Sequence, residues 1–275
     1  MGSVFTTGEP THGRHDEIVR AMRSRGRILV AFSGGVDSCL VLRLAHEALG
    51  DNCLAVIADS PSLPRNELEA AKLTAERIGV KLEVIQLREM ENEDYRRNTA
   101  TRCYHCRTEL AVVLRRMAAE RGFATIADGA NLSDLGDYRP GMRAMDENGV
   151  WHPLMEFRLD KAAVREMARS LGLETHDKPS TPCLSSRIAT GEPITEAKLR
   201  MIEAGEDFLH ELGFSLVRLR YIGGNARIEV AREDICRLSN DPLLTLVSGR
   251  LKEFGFREVA VDPNGYRQGS MNQPA

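Results

Sequence analysis

The sequence predicts an α/β protein: a parallel sheet with helices on both faces over residues 15–190, then a smaller α+β domain over 191–275. Three observations carry that prediction. Short apolar runs alternate with amphipathic stripes through the first two thirds of the chain, the pattern of repeated strand–helix crossovers. Three of those runs end in polar, turn-forming clusters, at residues 33–38, at Asp59-Ser60 and at residues 128–131. Ligands in such sheets bind at the carboxyl ends of the strands. Beyond a proline-rich stretch the pattern changes to helix, hairpin, helix and strand.

The elements follow in order. Residues 1–14, rich in Gly, Thr, Pro and His, read as a flexible tail. A strand at 28–32 precedes a helix starting near Asp37, with Val41, Leu44, Ala45 and Ala48 on one face and Gly50 as its stop. The second strand, 54–58, halts at Asp59-Ser60-Pro61. Pro64 suits the first turn of a helix carrying Leu68, Ala71, Ala75 and Ile78, closed by Gly79. A third strand spans 82–87. A helix from about 103 to 121 turns Leu110, Val113, Leu114 and Met117 inward, and a fourth strand spans 124–127. Asp160 caps a helix with Val164, Met167, Ala168 and Leu171, ended by Gly172. Pro179, Pro182, Gly191 and Pro193 make 177–194 a loop. The second domain reads as helix 195–212, strand 216–222, a Gly223-Gly224-Asn225 turn, strand 226–231, helix 242–254 and strand 259–261.

Composition narrows the function. Of 275 residues, 42% are hydrophobic and 28% charged, ordinary values for a globular protein. No apolar run reaches membrane-spanning length and no signal-peptide pattern opens the chain, so a cytoplasmic protein without membrane contacts is expected. A net charge of −3 argues against a nucleic-acid partner. Six cysteines in a reducing compartment point to ligands, nucleophiles or core residues rather than disulfides. Cys39, Cys53 and Cys236 sit in apolar patterns and read as small buried hydrophobes.

Residues 33–38 read SGGVDS directly after a strand and before a helix. Gly34 and Gly35 let backbone N–H groups approach an anion, and the helix adds its positive end. Ser33 and Ser38 offer hydroxyls. Asp37 would repel phosphates unless a cation intervened, so it reads as a Mg²⁺ ligand. A Gly-Gly turn alone would mean little; the strand before and the stripe after make it a phosphate site. Walker A is absent, and no Lys follows the glycines. The motif resembles the PP-loop of ATP pyrophosphatases, a Rossmann-like domain that cleaves ATP between the α and β phosphates.

Arg102-Cys103-Tyr104-His105-Cys106-Arg107 places two thiols on one side of a helix's first turn, beside two arginines. A CxxC suits a redox pair, half a zinc site or part of an iron–sulfur site. Cys183 lies in a proline-stiffened loop, with Arg187 near enough in sequence to steady a thiolate. In the second domain Arg218, Arg220 and Arg227 alternate with apolar residues and would gather on one sheet face. That face is either an ordinary solvated one or an anion site, since arginine forks suit carboxylate and phosphate. Asp137-Tyr138-Arg139-Pro140-Gly141 is either a loop that would face the nucleotide or purely a turn, and residues 262–270 look too ordered for a frayed end.

SGGVDS, RCYHC, DGAN with DYRPG, KPSTPCLSSR and GYRQGSMN occur in that order over residues 15–273. Together they resemble the LarE family of ATP-dependent sulfur transferases. The resemblance implies adenylation of a carboxylate of a pyridinium-3,5-biscarboxylic acid mononucleotide and replacement of its oxygen by sulfur, on the way to the nickel-pincer nucleotide cofactor of lactate racemase. It implies that Cys183 is the sulfur centre, either giving up its own sulfur and becoming dehydroalanine or joining Cys103 and Cys106 around a 4Fe–4S cluster charged by a sulfide donor. With all three cysteines, the chain resembles the cluster branch. Arg218 and Arg220 then resemble contacts to the substrate phosphate, Asp59, Gly129 and Arg187 line the site, and a homo-oligomer, a hexamer by resemblance, is expected.

Three rivals remain. A PP-loop tRNA thiolase would want a basic surface that this chain lacks. An ammonia-dependent amide-forming synthetase, of the kind that makes NAD or GMP, would leave the three cysteines without a task. A nucleotide-sensing protein would use them with His105 as a structural zinc site.

Overall fold

The computed structural model describes residues 11–136 and 139–267. By their contacts these divide into two units. The first runs up to Asp59 and includes Arg65–Leu87 and Cys103–Thr181; the second comprises Ser60–Pro64, Arg88–Arg102 and the chain from Pro182. In this division Thr181 ends a stretch of the first unit and Pro182 begins one of the second. The loop with Cys183 thus packs with the second unit, for reasons given below. Asp137 and Tyr138, the tail up to residue 10 and the end of the chain from 268 lie outside the described residues.

The first unit begins with α1 (Thr11–Ser24), which starts inside the expected tail. Ile18, Val19 and Met22 of this helix are buried, an apolar stripe that follows the polar first fourteen residues. There follow β1 (Ile28–Ala31), α2 (Val36–Leu49), β2 (Cys53–Asp59), α3 (Arg65–Ile78), β3 (Leu82–Gln86), α4 (Glu93–Arg96) and α5 (Arg102–Arg121). Then come β4 (Thr125–Ala127), α6 (Pro140–Glu147), α7 (Pro153–Glu156) and α8 (Lys161–Ser170). Residues 88–102, including α4, belong to the second unit.

The sheet is parallel, in the order β3-β2-β1-β4, with Ile28 opposite Cys53 on one side and Thr125 on the other. Every residue of β1 is buried, as expected of a central strand covered on both faces. On one face α5 sets Leu110, Ala111, Leu114 and Met117 against Leu29, Leu54, Val56 and Ile126. The helices α1, α2 and α8 pack together to form another layer. The chain leaves β1 toward β2 in one direction and β4 lies on the other side, so a crevice opens at the carboxyl ends of β1 and β4.

In the second unit, α9 (Glu196–Glu211) packs on β5 (Val217–Ile222), which pairs antiparallel with β6 (Asn225–Val230) through the Gly223-Gly224 turn. The short α10 (Ile235–Leu238), then α11 (Asp241–Glu253) and β7 (Val259–Val261) complete it, β7 running parallel to β6. Cys236 is exposed on α10, contrary to the expected burial. Four residues make too short a helix to bury each apolar-looking position. Cys39 and Cys53 are buried.

Candidate functional site

The phosphate loop takes the form that its sequence predicts. Gly34 has φ +72°, and a Cβ there would lie 2.7 Å from the Cβ of Ala71 on α3, so only glycine fits. Gly35 leads into α2, whose first N–H groups have no intrahelical partner. Ser33 is exposed. Ser38 is buried and uses its hydroxyl within the loop, accepting from the Ser33 N–H at 3.2 Å and donating to the Gly35 carbonyl at 3.0 Å. Ser38 therefore shapes the cradle from inside instead of reaching outward. Gly129, after β4, presses on the start of α2: a Cβ there would sit 2.6 Å from the Ser38 nitrogen. These features suit the phosphates of ATP.

Asp37 is partly exposed at the start of α2. One carboxylate oxygen accepts from the Asn131 amide at 3.2 Å, the other from Lys161 Nζ at 2.6 Å. Lys178 reaches the Gly34 carbonyl at 3.4 Å and pairs with Glu67 at 2.7 Å. Sequence reasoning misses both lysines because it searches just after the glycines. Lys161 follows Asp37 by 124 residues and Lys178 follows Gly34 by 144. The one clue is that Lys178 opens the KPSTPCLSSR motif. A hard carboxylate oxygen of this kind fits a Mg²⁺ ion, with Lys161 already showing that Asp37 faces positive charge.

Asp59 is partly exposed at the end of β2. Its carboxylate accepts from Arg65 at 2.6 Å and from Gln86 at 2.9 Å, bracing the end of β2 against α3 and β3. Burial pushes its pKa up, but the Gln86 and Arg65 hydrogen bonds and the Arg65 charge outweigh that and hold it below the ordinary carboxylate range.

None of the six cysteines is in a disulfide. Cys103 is exposed and Cys106 half-buried in the first turn of α5. Tyr104 fixes that turn to α6, donating to Glu147 at 2.6 Å under the Arg143 guanidinium. Among the described residues no three His, Cys, Asp or Glu side chains gather into a group that could hold a metal ion. Cys103 and Cys106 belong to the first unit and Cys183, half-buried, to the second.

Arg187 lies inside the second unit, on the turn that follows Cys183. Its side chain is fully buried and forms a two-pronged pair with Glu206 of α9, at 3.0 Å on each prong. It also donates to the backbone carbonyls of Pro182 and Cys183. It therefore braces the turn around Cys183, and its charge goes to Glu206. The β5 arginines are buried rather than solvated: Arg220 pairs with the buried Glu229 at 2.8 Å and donates to the Ser186 carbonyl at 3.1 Å. Arg218 lies against the Tyr266 ring, with its centroid 5.3 Å away. Burial, then the nearby Arg187 charge, pushes Arg218 below the usual arginine pKa. Arg227, the third arginine of the expected face, lies within 3.6 Å of Asp262.

The chain matches the NAD synthase family model over residues 16–118, the region of the phosphate loop. It is 42% identical to an uncharacterized protein of Synechocystis over 90% of this chain and 92% of that one. It is 36% identical to the pyridinium-3,5-bisthiocarboxylic acid mononucleotide synthase of Lactiplantibacillus plantarum, over 93% of this chain and 92% of that enzyme. A component of the glutamine-hydrolyzing GMP synthase of Methanococcus maripaludis is 30% identical over 76% of this chain and 70% of its own length. No helix among the described residues is long and apolar enough to cross a membrane. With an ATP-type loop at the switch point of a parallel sheet and near full-length similarity to the bisthiocarboxylic acid synthase, the chain belongs to the LarE family of ATP-dependent sulfurtransferases within the PP-loop superfamily.

Proposed function

We propose that this enzyme converts a carboxylate of pyridinium-3,5-biscarboxylic acid mononucleotide to a thiocarboxylate in nickel-pincer cofactor synthesis. One observation carries the reading: a chain with an ATP loop and thiols at 103, 106 and 183 shares 36% identity over 93% of its length with a synthase of the matching bisthiocarboxylate.

Carboxylate oxygen is a poor leaving group. The substrate carboxylate attacks the α-phosphorus of ATP, the bond to the β-phosphate breaks, and pyrophosphate departs. Gly34, Gly35 and the start of α2 hold the phosphates, and Lys161 and Lys178 offset their charge. Mg²⁺ held by Asp37 would neutralise the pyrophosphate as it leaves. Arg218 and Arg220 favour the substrate's own phosphate. A sulfur nucleophile then adds to the acyl carbon, and AMP leaves with the original oxygen. If the Cys183 thiolate attacks, a thioester forms; removal of the Cα proton breaks the Cβ–S bond and leaves dehydroalanine with the thiocarboxylate product. A 4Fe–4S cluster held by Cys103, Cys106 and Cys183 would instead supply sulfide from an external donor, sparing the chain. The reading keeps a homo-oligomer and a cytoplasmic setting.

The test is AMP and thiocarboxylate measured together with ATP, Mg²⁺ and the dicarboxylate nucleotide. Wild type forms both, Cys183→Ala forms AMP without thiocarboxylate, and Asp37→Ala forms neither. Thiocarboxylate from Cys183→Ala overturns the role of that cysteine. Iron near about four per chain after anaerobic reconstitution selects the cluster route; mass loss at Cys183 selects the sacrificial one. The similarity to a GMP synthase component favours a second reading, amide formation from ammonia. Amide product with full activity in a triple Cys→Ser variant would establish it.

A further inference from the structure

Beyond one short 3-10 turn at Leu184–Arg187, the loop that carries Cys183 has no regular element, and the carbonyls of Ser185, Ile188, Ala189 and Glu192 accept from side chains of residues 88–102. Asn98 is 1% exposed, with φ +53°. Its amide nitrogen donates to the carbonyls of Ala189 at 2.9 Å and Glu192 at 3.0 Å and approaches that of Ile188 at 3.3 Å. Its amide oxygen accepts from Arg102 Nη1 at 2.6 Å, and the same Nη1 donates to the Ser185 carbonyl at 3.0 Å. Backbone bonds run alongside, from Gly191 N–H to the Asn98 carbonyl at 2.8 Å and from Ile194 N–H to the Arg96 carbonyl at 2.8 Å. The buried Tyr95 hydroxyl meets Ser185 Oγ at 2.6 Å. Burial first, then the neighbouring Cys183 and Glu89 charges, pushes its pKa well above the usual phenol value, so it stays a neutral hydroxyl.

All these residues belong to the second unit, and Arg102 is the residue directly before Cys103. We propose that Asn98 and Arg102 are positioning residues for the sulfur step: their side chains clamp the turn that presents Cys183 and tie it to the backbone neighbour of Cys103. The inference rests on the sulfur-transfer reading above. Asparagine tolerates the left-handed region and, unlike glycine, brings an amide whose donors and acceptor are all used on this loop and on Arg102. What it adds is a fixed sulfur position, and small misplacements of a reacting atom cost large factors in rate.

The variants are Asn98→Gly, which keeps the positive φ and deletes the clamp, and Arg102→Gln beside Arg102→Lys. Three quantities are read: AMP, thiocarboxylate, and the rate at which iodoacetamide alkylates Cys183 without substrate, mapped by mass spectrometry. Asn98→Gly and Arg102→Gln should lower the ratio of thiocarboxylate to AMP by roughly tenfold and change the alkylation rate severalfold, with Arg102→Lys in between. An unchanged ratio and unchanged alkylation in both overturn the clamp. So does a parallel fall of AMP and thiocarboxylate in which Arg102→Lys is no better than Arg102→Gln, because that is general loss of the fold. If wild type makes no thiocarboxylate, the sulfur-transfer reading fails by itself. The alkylation rate then decides alone whether the clamp governs Cys183, and an unaltered rate overturns it.

Discussion

The phosphate loop of the first unit and the Cys183 loop of the second are both short, both irregular in sequence and both fixed, yet by opposite means. The first is held by its backbone and by the absence of side chains. Gly34 occupies the left-handed region with Ala71 against it, and Gly129 leaves room for the start of α2. The second is held by large buried polar groups, Arg187 with Glu206, Asn98 with Arg102, and Tyr95 with Ser185. A loop that must receive phosphates needs bare N–H groups, so nothing may project into it. On the proposed reading, a loop that presents one thiol can be braced from behind at its carbonyls, because its ligand comes to a side chain.

The contrast predicts where each loop breaks. The largest effect belongs to the second. Glu206→Ala leaves the fully buried Arg187 guanidinium without its counter-ion and should cost about 3–5 kcal/mol in urea unfolding, whereas Arg187→Met with Glu206→Leu together should be far milder. Equal losses from the single and the double change would show that the pair is not the brace. Next comes Gly34→Ala, expected to cost about 2–4 kcal/mol from the unfavourable φ and the clash with Ala71. It should also abolish AMP formation. A variant of wild-type stability would remove the close packing from the comparison.

The smallest effect sharpens it with pH. His152 bridges Asp128 at 2.5 Å and Asp146 at 2.9 Å, next to the Gly129 turn. Burial lowers its pKa, but the two carboxylates outweigh burial and raise it above the ordinary 6.5. A raised folded pKa means that this stabilisation is complete below the unfolded value and fades as pH rises through the folded one. Wild type should therefore lose stability relative to His152→Asn as pH rises from the ordinary histidine value of about 6.5 through the raised folded one. Parallel pH curves for the two would contradict the bridge.

The same contrast explains which features are readable along the chain. The strands β1, β2 and β4 and the helices α2, α3, α5 and α8 are legible because each repeats an apolar period and ends in glycine or a capping side chain. SGGVDS is legible because its function resides in its own six residues. Lys161 and Lys178 are not, since a single lysine carries no period and its target lies far away along the chain. Asp59 and Arg187 stand out as charged residues at suggestive places, but their partners within the fold are not readable along the chain. A carboxylate at a strand end and an arginine beside a cysteine look alike whether they meet a ligand or, as here, Arg65 with Gln86 and Glu206.

The alternation of strand and helix, the phosphate loop, the hairpin of the second unit and the set of motifs that marks the family are all written in the linear chain. These depend on residues within one or two turns of each other. Which charges are neutralised internally is settled only by the folded arrangement, which also groups the Cys183 loop with residues 88–102 rather than with the sheet that precedes it. Burial makes that decision: a polar group out of water must find a partner, and the partner is whichever complementary group the fold brings within about 3 Å.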